Sequence, residues 1–315
     1  MASMIDGVDQ RTQLVGQNRL ELLLFELGTD QLYGINVFKV KEALPCPKLT
    51  RLPNSHPAVL GVAHIRGITI SIFDLALAIG GHPVEDLSNS FVIITEYNRS
   101  VQGFLVSGID RIINTTWSDI TAPPKAATDN SYMTAITKVD DALVIIIDVE
   151  KVMAEILGSD ETVSEELVEG YASQNTEDPP HILVADDSSV ARKQVERSMQ
   201  QIGIKTTIVR DGKEALEQLK SWADSGIDVN KHISLLVSDI EMPEMDGYTL
   251  TTEIRKDPRI ADIKILLHSS MSGTFNKNMV EKVGADKFIP KFSPDDLANT
   301  VQELVAEWKA KQASD

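Results

Sequence analysis

The chain has 315 residues and a formal net charge of -17, with hydrophobic and charged fractions that are ordinary for a globular protein. Its length predicts two domains of roughly 100–200 residues each. The acidic balance argues against nucleic acid and anionic membrane surfaces as partners. A single cysteine, Cys46, excludes an internal disulfide framework.

The N-terminus shows no targeting signal. Residues 1–18 are polar and predict a tail, without a basic stretch followed by an apolar core. No apolar run reaches the ~20 residues of a membrane span. We therefore expect a cytoplasmic protein with no direct membrane insertion.

Residues 19–158 have the pattern of an all-β domain. Short apolar runs follow one another closely and are separated by glycines, which is typical of small barrels. The predicted strands are 22–27, 31–36, 59–65, 68–73, 91–96, 100–106, 108–114 and 143–147. Short helices are predicted at 37–44 and 148–157. The sequence shows no nucleophile–base pair here, which favours a binding domain over an enzyme.

Residues 159–180 predict an acidic linker. They contain acidic residues and no basic ones, and they end in Pro179-Pro180. A segment of this composition is too polar to bury a core of its own. A weak apolar stripe suggests that part of it extends the helix predicted at 148–157.

From residue 181 the pattern changes to alternating strands and helices. Strands are predicted at 181–185, 205–209, 233–238, 263–268 and 286–290, and helices at 189–201, 212–222, 247–256, 274–283 and 293–311. Five strands, each followed by a helix, predict a doubly wound α/β domain with a five-stranded parallel sheet. This domain spans 181–307 and leaves a short tail, 308–315.

Charged residues directly follow three of these strands. Asp186 and Asp187 follow the first strand, Asp239 follows the third and Lys291 follows the fifth. Because the carboxyl ends of parallel strands meet at one edge, we expect these side chains to gather there. Crowded carboxylates favour a divalent cation, and Mg²⁺ prefers oxygen ligands. Lys291 can balance an incoming phosphoryl group, and the hydroxyl of Ser269, just past the fourth strand, is available to the same oxygens.

The segments ILVADDSSVARK, VSDIEMPEMDGY, LLHSS and FIPKF resemble the response-regulator receiver family, whose fold is flavodoxin-like. The resemblance covers about residues 181–307. It implies Asp239 as phosphoacceptor and a direct Mg²⁺ ligand together with Asp187. It also implies that Asp186 acts through water and that the backbone carbonyl of Glu241 completes the protein ligands.

Further positions match the receiver family or depart from it. Lys291 and Ser269 match the positions that contact the phosphoryl group, and Phe288 matches the aromatic switch position. Ser269 stands where threonine is usual and keeps the hydroxyl. Ser270 replaces the usual alanine, and Phe292 replaces the usual proline, which leaves the geometry of the Lys291-Phe292 peptide open.

The segments LLLFELGTDQLYGINVFKVKEAL and LPNSHPAVLGVAHIRGITISIFDLALAIG resemble the CheW adaptor family over about residues 19–158. The family fold is two small β-barrels packed together, and its members couple chemoreceptors to the histidine kinase CheA. Arg66 and Gly67 match the family's asparagine-leucine-arginine-glycine turn, with His64 in place of asparagine. The match implies a partner-binding turn; the alternative is a solvated arginine beside a glycine that only supplies positive φ.

An adaptor followed by a receiver is the arrangement of a known family of chemotaxis coupling proteins. It implies CheA as phosphodonor and partner, and methyl-accepting chemoreceptors as further partners. It also implies a place beside membrane-anchored receptor arrays and coupling tuned by phosphorylation, through adaptation or as a phosphate sink. We predict such a scaffold, not an enzyme.

Two alternatives stay open. A metal-dependent phosphatase with an aspartyl nucleophile would carry Asp-x-Asp after the first strand, where this chain has Asp186-Asp187-Ser188. A response regulator of another pathway is the second; if it acted on transcription it would need a basic helix-turn-helix, and residues 293–315 predict one helix only.

Overall fold

The computed structural model describes residues 19–97, 100–116, 119–121, 132–157, 162–172, 179–269, 280–291 and 293–313. The chain divides into two compact units, with residues 19–159 in one and residues 160–315 in the other.

The first unit is built almost entirely of strands. They are β1 (Arg19–Glu26), β2 (Leu32–Asn36), β3 (Val40–Pro45), β4 (Val59–Ile65), β5 (Ile68–Asp74), β6 (Phe91–Tyr97), β7 (Ser100–Val106), β8 (Gly108–Thr116), β9 (Ile120–Thr121), β10 (Met133–Val139) and β11 (Ala142–Ile147). Two helices, α1 (Leu75–Ala78) and α2 (Val149–Leu157), and one turn of 3-10 helix at Val37–Lys39 accompany them.

These strands form two sheets, in the orders β8-β1-β2-β11-β10-β9 and β3-β6-β7-β5-β4. In β1, β5 and β6, alternate residues face an apolar cluster, because successive side chains of a strand point to opposite faces. Leu22 and Leu24 of β1 pack with Val144 in the first sheet, and Ile72 packs with Val92 in the second. The all-β prediction for this half is confirmed.

The helix predicted at 37–44 is wrong. The chain makes one 3-10 turn at Val37–Lys39 and then forms β3, which pairs antiparallel with β6. The apolar residues Val40 and Leu44 fit a helical period and a strand period equally well. The strand prevails because pairing with β6 places both on the more buried face, as the alternating exposure along β3 shows. The sequence also gave no signal for β10, which pairs with β11.

The second unit contains strands β12 (His181–Ala185), β13 (Lys205–Val209), β14 (Leu235–Ser238), β15 (Ile265–Ser269) and β16 (Lys287–Pro290). Its helices are α3 (Glu165–Ala172), α4 (Ser189–Gln201), α5 (Gly212–Asp224), α6 (Val229–His232), α7 (Gly247–Lys256) and α8 (Pro294–Gln312). Residues 280–283 are helical; the rest of the helix predicted at 274–283 lies outside the described residues.

All five strands are parallel, in the order β13-β12-β14-β15-β16. The chain steps outward from β12 to β13 and then returns to β14, so the order reverses between β12 and β14. Helices begin just past the strand ends, and Ser188 and Asp246 cap α4 and α7 with side-chain hydrogen bonds to backbone N–H groups. The doubly wound prediction is confirmed.

Part of the region predicted as a linker folds against the second unit. Residues 165–172 form a separate helix, α3, in the same compact unit as the parallel sheet. Val163 is 3% exposed although its segment is acidic. Composition predicted a segment too polar to bury a core of its own, and its weak apolar stripe predicted an extension of the preceding helix. The stripe instead belongs to a separate helix, because a few apolar side chains on one face suffice when the rest of the unit supplies the surface.

Among the helices of the described ranges, none is long and apolar enough to cross a membrane.

Candidate phosphorylation and metal site

The reversal of strand order brings the predicted carboxylates together. Asp186 and Asp187 follow β12, and Asp239 follows β14, the adjacent parallel strand, whose Ser238 pairs with Ala185. One ligand oxygen from each of the three aspartates lies within 4.8 Å of the others. The edge position predicted from the sequence is therefore where these three residues lie.

Lys291 lies among these carboxylates. Its Nζ is 2.7 Å from Asp186 Oδ2 and 2.8 Å from Asp239 Oδ2. The lysine is 1% exposed, and the two aspartates are 2% and 3% exposed. Buried charges of this kind are stable only when they are paired, and removal of one partner leaves an uncompensated charge.

Backbone donors fix the orientation of the carboxylates. The Ser188 N–H donates to Asp186 Oδ1 at 2.9 Å, and the Ile240 N–H donates to Asp239 Oδ1 at 2.7 Å. Each of these aspartates therefore turns one oxygen toward the backbone and the other toward the lysine ammonium. Because both oxygens of each carboxylate are bound, both side chains are held in one rotamer.

Arg192 holds the acidic loop from the first turns of α4. Its Nη1 donates to the backbone carbonyl of Asp186 at 2.6 Å and to that of Asp187 at 2.9 Å. The guanidinium therefore ties helix and loop together. Sequence reasoning missed this residue, although its place in the quoted segment ILVADDSSVARK was a usable signal.

Ser269 and Phe288 occupy neighbouring strands near the site. Ser269 ends β15 and is fully buried, and its carbonyl accepts from the Lys291 N–H at 2.9 Å. Phe288 is half-buried on β16, opposite Leu267, and packs against the domain core. Their roles toward a phosphoryl group stay predictions. Ser270 and Phe292 lie outside the described residues.

The loop after Asp239 is crowded and negatively charged. Glu241 is 8% exposed. Burial chiefly, then the carboxylates of Asp246 and Glu241, raise the pKa of Tyr248. The assignment of the Glu241 backbone carbonyl as a metal ligand stays a prediction.

Gly247, at the start of α7, packs directly against the backbone of Asp239. Its N–H donates to the Ile240 carbonyl at 2.9 Å. A Cβ at this position would overlap the Asp239 carbonyl oxygen. Only glycine allows this approach, so Gly247 controls where the Asp239 backbone lies. Sequence reasoning did not single out this residue.

The three aspartates fit a Mg²⁺ ion. They offer oxygen ligands only, grouped closely enough for one cation, and a magnesium site commonly uses few carboxylates and completes its shell with water. Asp186, Asp187 and Asp239 would hold the ion.

The predicted partner-binding turn lies between β4 and β5. Arg66 and Gly67 have φ values of 51° and 86°, so both are left-handed, as in a tight hairpin turn. The Arg66 side chain is 74% exposed and pairs with Glu42 of β3 at 2.7 Å. Because β3 and β4 are opposite edges of one sheet, this ion pair shows that the sheet curls back on itself. Partner binding by Arg66 and Gly67 stays a prediction.

Comparison with known proteins agrees with this architecture. Residues 21–157 match the CheW-like domain family, and residues 182–302 match the response regulator receiver domain family. The chemotaxis protein CheV3 of Helicobacter pylori is 31% identical over 281 residues, which cover 87% of this chain and 88% of CheV3. The chain belongs to the CheV family.

Other relatives support the CheV assignment. CheV1 of Helicobacter pylori is 28% identical over 97% of this chain and 99% of its own length. The chemotaxis protein CheW of Klebsiella aerogenes is 29% identical and covers 45% of this chain and 84% of its own length. The CheV relatives match both domains, whereas CheW matches less than half of the chain.

Proposed function

We propose that this CheV-family chain is a chemotaxis scaffold that couples chemoreceptors to the kinase CheA and is tuned by phosphorylation of Asp239. The observation that carries the proposal is the cluster of three carboxylates around the buried Lys291, in a chain that also has a CheW-like domain. A binding domain and a phosphoryl-accepting domain in one chain allow one to regulate the other. We place the protein in the cytoplasm, beside membrane-anchored receptor arrays.

The geometry is suited to phosphoryl transfer from a phosphohistidine. A carboxylate oxygen of Asp239 attacks phosphorus, the P–O bond forms, the P–N bond breaks, and the histidine nitrogen keeps the electron pair. Lys291, which already contacts Asp239, balances the charge on the phosphoryl oxygens. Ser269 offers them a hydroxyl. Bound Mg²⁺ would neutralise charge on the carboxylates and the phosphoryl oxygens, and catalysis of this kind depends mainly on positioning and charge.

Phosphorylation is expected to require a divalent cation. In excess chelator, labelling by phospho-CheA or a small phosphodonor should fall to background, because three carboxylates then repel the incoming phosphoryl group. Calorimetric titration with Mg²⁺ provides a readout independent of labelling. Undiminished labelling in chelator, or no Mg²⁺ binding by the folded protein, would contradict the proposed site.

Arg66→Ala is expected to weaken receptor coupling without unfolding the adaptor domain. The side chain is largely exposed, and an exposed ion pair contributes only about 0–1 kcal/mol to stability. The measurement is kinase activity in a reconstituted mixture of receptor, CheA and this protein, together with the melting temperature.

Arg111→Ala is the matched control for Arg66→Ala. Arg111 is also an ion-paired surface arginine of the same domain, with Asp110 and Asp140 as partners. It should leave coupling unchanged. If the Arg66 and Arg111 variants couple receptor to kinase equally well, the turn is not part of the partner-binding interface.

These relatives do not support the alternative of a metal-dependent phosphatase, because they are chemotaxis proteins and match this chain over most of its length. We therefore infer a scaffold that accepts a phosphoryl group and does not turn over a substrate. Sustained release of phosphate from small phosphomonoesters, abolished by Asp239→Asn, would favour the enzyme instead.

A further inference from the structure

Residues 163–171, which we call the strap, dock on the receiver domain. At one end the Val163 N–H donates to Gln201 Oε1 of α4 at 3.1 Å. The next N–H, that of Ser164, donates to Asp295 Oδ1 of α8 at 2.8 Å. The strap thus joins two helices that are far apart in sequence.

The other end of the strap is held on α8. The Tyr171 hydroxyl donates to Asn299 Oδ1 at 2.7 Å, one turn after Asp295 on the same side of the helix. Burial chiefly, then the negative charge of Asp295, raise the pKa of Tyr171, so its hydroxyl remains a donor. Two points of contact on α8 set the direction in which the strap runs.

The strap has an apolar side and an acidic side. Val163 is buried, and Leu167 and Val168 are half-buried. The exposed side carries Glu165, Glu166 and Glu169. Burial of the apolar side stabilises a helix that is too short to be stable alone. Acidic residues in the first turn also interact favourably with the helix N-terminus.

The strap is anchored close to the phosphorylation site along the chain. Asp295 lies in the first turn of α8, four residues after Lys291, and Ser293 caps that helix. The Lys291 ammonium is bound by Asp186 and Asp239. A phosphoryl group on Asp239 would draw this ammonium toward the phosphoryl oxygens. The first turn of α8 would then be displaced, because α8 begins three residues after Lys291.

We propose that the α4–α8 face is a docking surface for an acidic amphipathic helix, that the strap is its occupant, and that phosphorylation of Asp239 changes the strap's affinity for it. The inference rests on the proposed function and adds a route by which the receiver communicates with the rest of the chain. Phosphorylation shifts the strap only if the docked and undocked forms bind the phosphoryl group differently. The coupling is therefore reciprocal: undocking the strap changes affinity at the site by the same factor.

Hydrogen exchange in the full-length protein tests this, with Mg²⁺ and beryllofluoride as the phosphoryl mimic. Strap amides should exchange slowly without the mimic, since docked backbone is protected. Adding the mimic should change their exchange rates by a factor of about 5–150, the usual range for coupled sites.

Two variants separate docking from folding. Val163→Asp places a charge in the buried contact and should remove protection from the strap while strands β12 to β16 stay protected. Its apparent affinity for beryllofluoride should shift by the factor measured for the strap amides. Glu169→Gln changes only the exposed side, outside the first turn of the helix, and should behave as the wild type.

The possible results are distinguishable. Strap amides that exchange freely in the wild type overturn the docking surface. If the strap amides are protected but their exchange rates do not change with beryllofluoride, the strap is a fixed part of the domain and the proposed coupling is wrong. If beryllofluoride fails to protect the loops after β12 and β14 themselves, the proposed function fails with it.

Discussion

Asp239→Asn is expected to abolish phosphoryl labelling of this protein. The amide has no anionic oxygen to attack phosphorus, and the change also removes one of the two carboxylates that hold Lys291. Transfer of label from phospho-CheA, measured as acid-labile radioactivity on the protein, should fall below detection.

Asp228→Asn is the control for charge removal. Asp228 precedes α6, makes no side-chain capping hydrogen bond and lies 3.9 Å from Lys231, so its loss leaves the site intact. This variant should label at the wild-type rate. Persistent label on the Asp239 variant at the wild-type level would show that another residue accepts the phosphoryl group.

Gly247→Ala is expected to damage both the stability and the chemistry of the receiver. The added methyl group would overlap the Asp239 carbonyl oxygen, which belongs to the backbone and cannot rotate away. Overpacking of this kind costs about 1–3 kcal/mol, so the melting temperature of this domain should fall by several degrees. Because the displaced backbone carries the phosphoacceptor, the labelling rate should fall on the order of 100-fold.

Gly108→Ala is the matched control for Gly247→Ala. Gly108 lies in β8 of the adaptor domain, where an added methyl group would come no closer than 3.5 Å to the Glu26 carboxylate, which is an ordinary contact. This variant should leave both the melting temperature of the receiver and the labelling rate unchanged. If Gly247→Ala labels and melts like Gly108→Ala, the close contact at Asp239 does not constrain the site.

Much of the receiver site was predictable from the sequence because chain order determines where strand ends lie in a parallel sheet. Asp186, Asp187, Asp239 and Lys291 follow alternating strands, and the topology leaves one edge for all of them. Helices α4 and α7 were predicted with their observed bounds, since both have a capping residue and a clear apolar period.

Other features could not be predicted, because the local sequence pattern was ambiguous or gave no indication of them. Residues 37–44 have apolar spacing that suits a helix or a strand, and pairing with β6 decided between them. Arg192 and Gly247 both stand in receiver-like segments, but no local pattern shows what they contact. Their importance comes from the carbonyl groups that the fold places beside them.

The sequence by itself determined the two domains, the parallel sheet and the edge at which the acidic residues and Lys291 gather, because these follow from hydrophobic period and strand order. Only the tertiary structure decided whether the acidic segment before the receiver stays unfolded or forms a helix that docks on the receiver. A short amphipathic helix is marginal in water, and it forms when a complementary surface buries its apolar side. Helices α4 and α8 supply that surface for the strap. The weak apolar stripe in the sequence predicted a helix here but not the surface on which it docks.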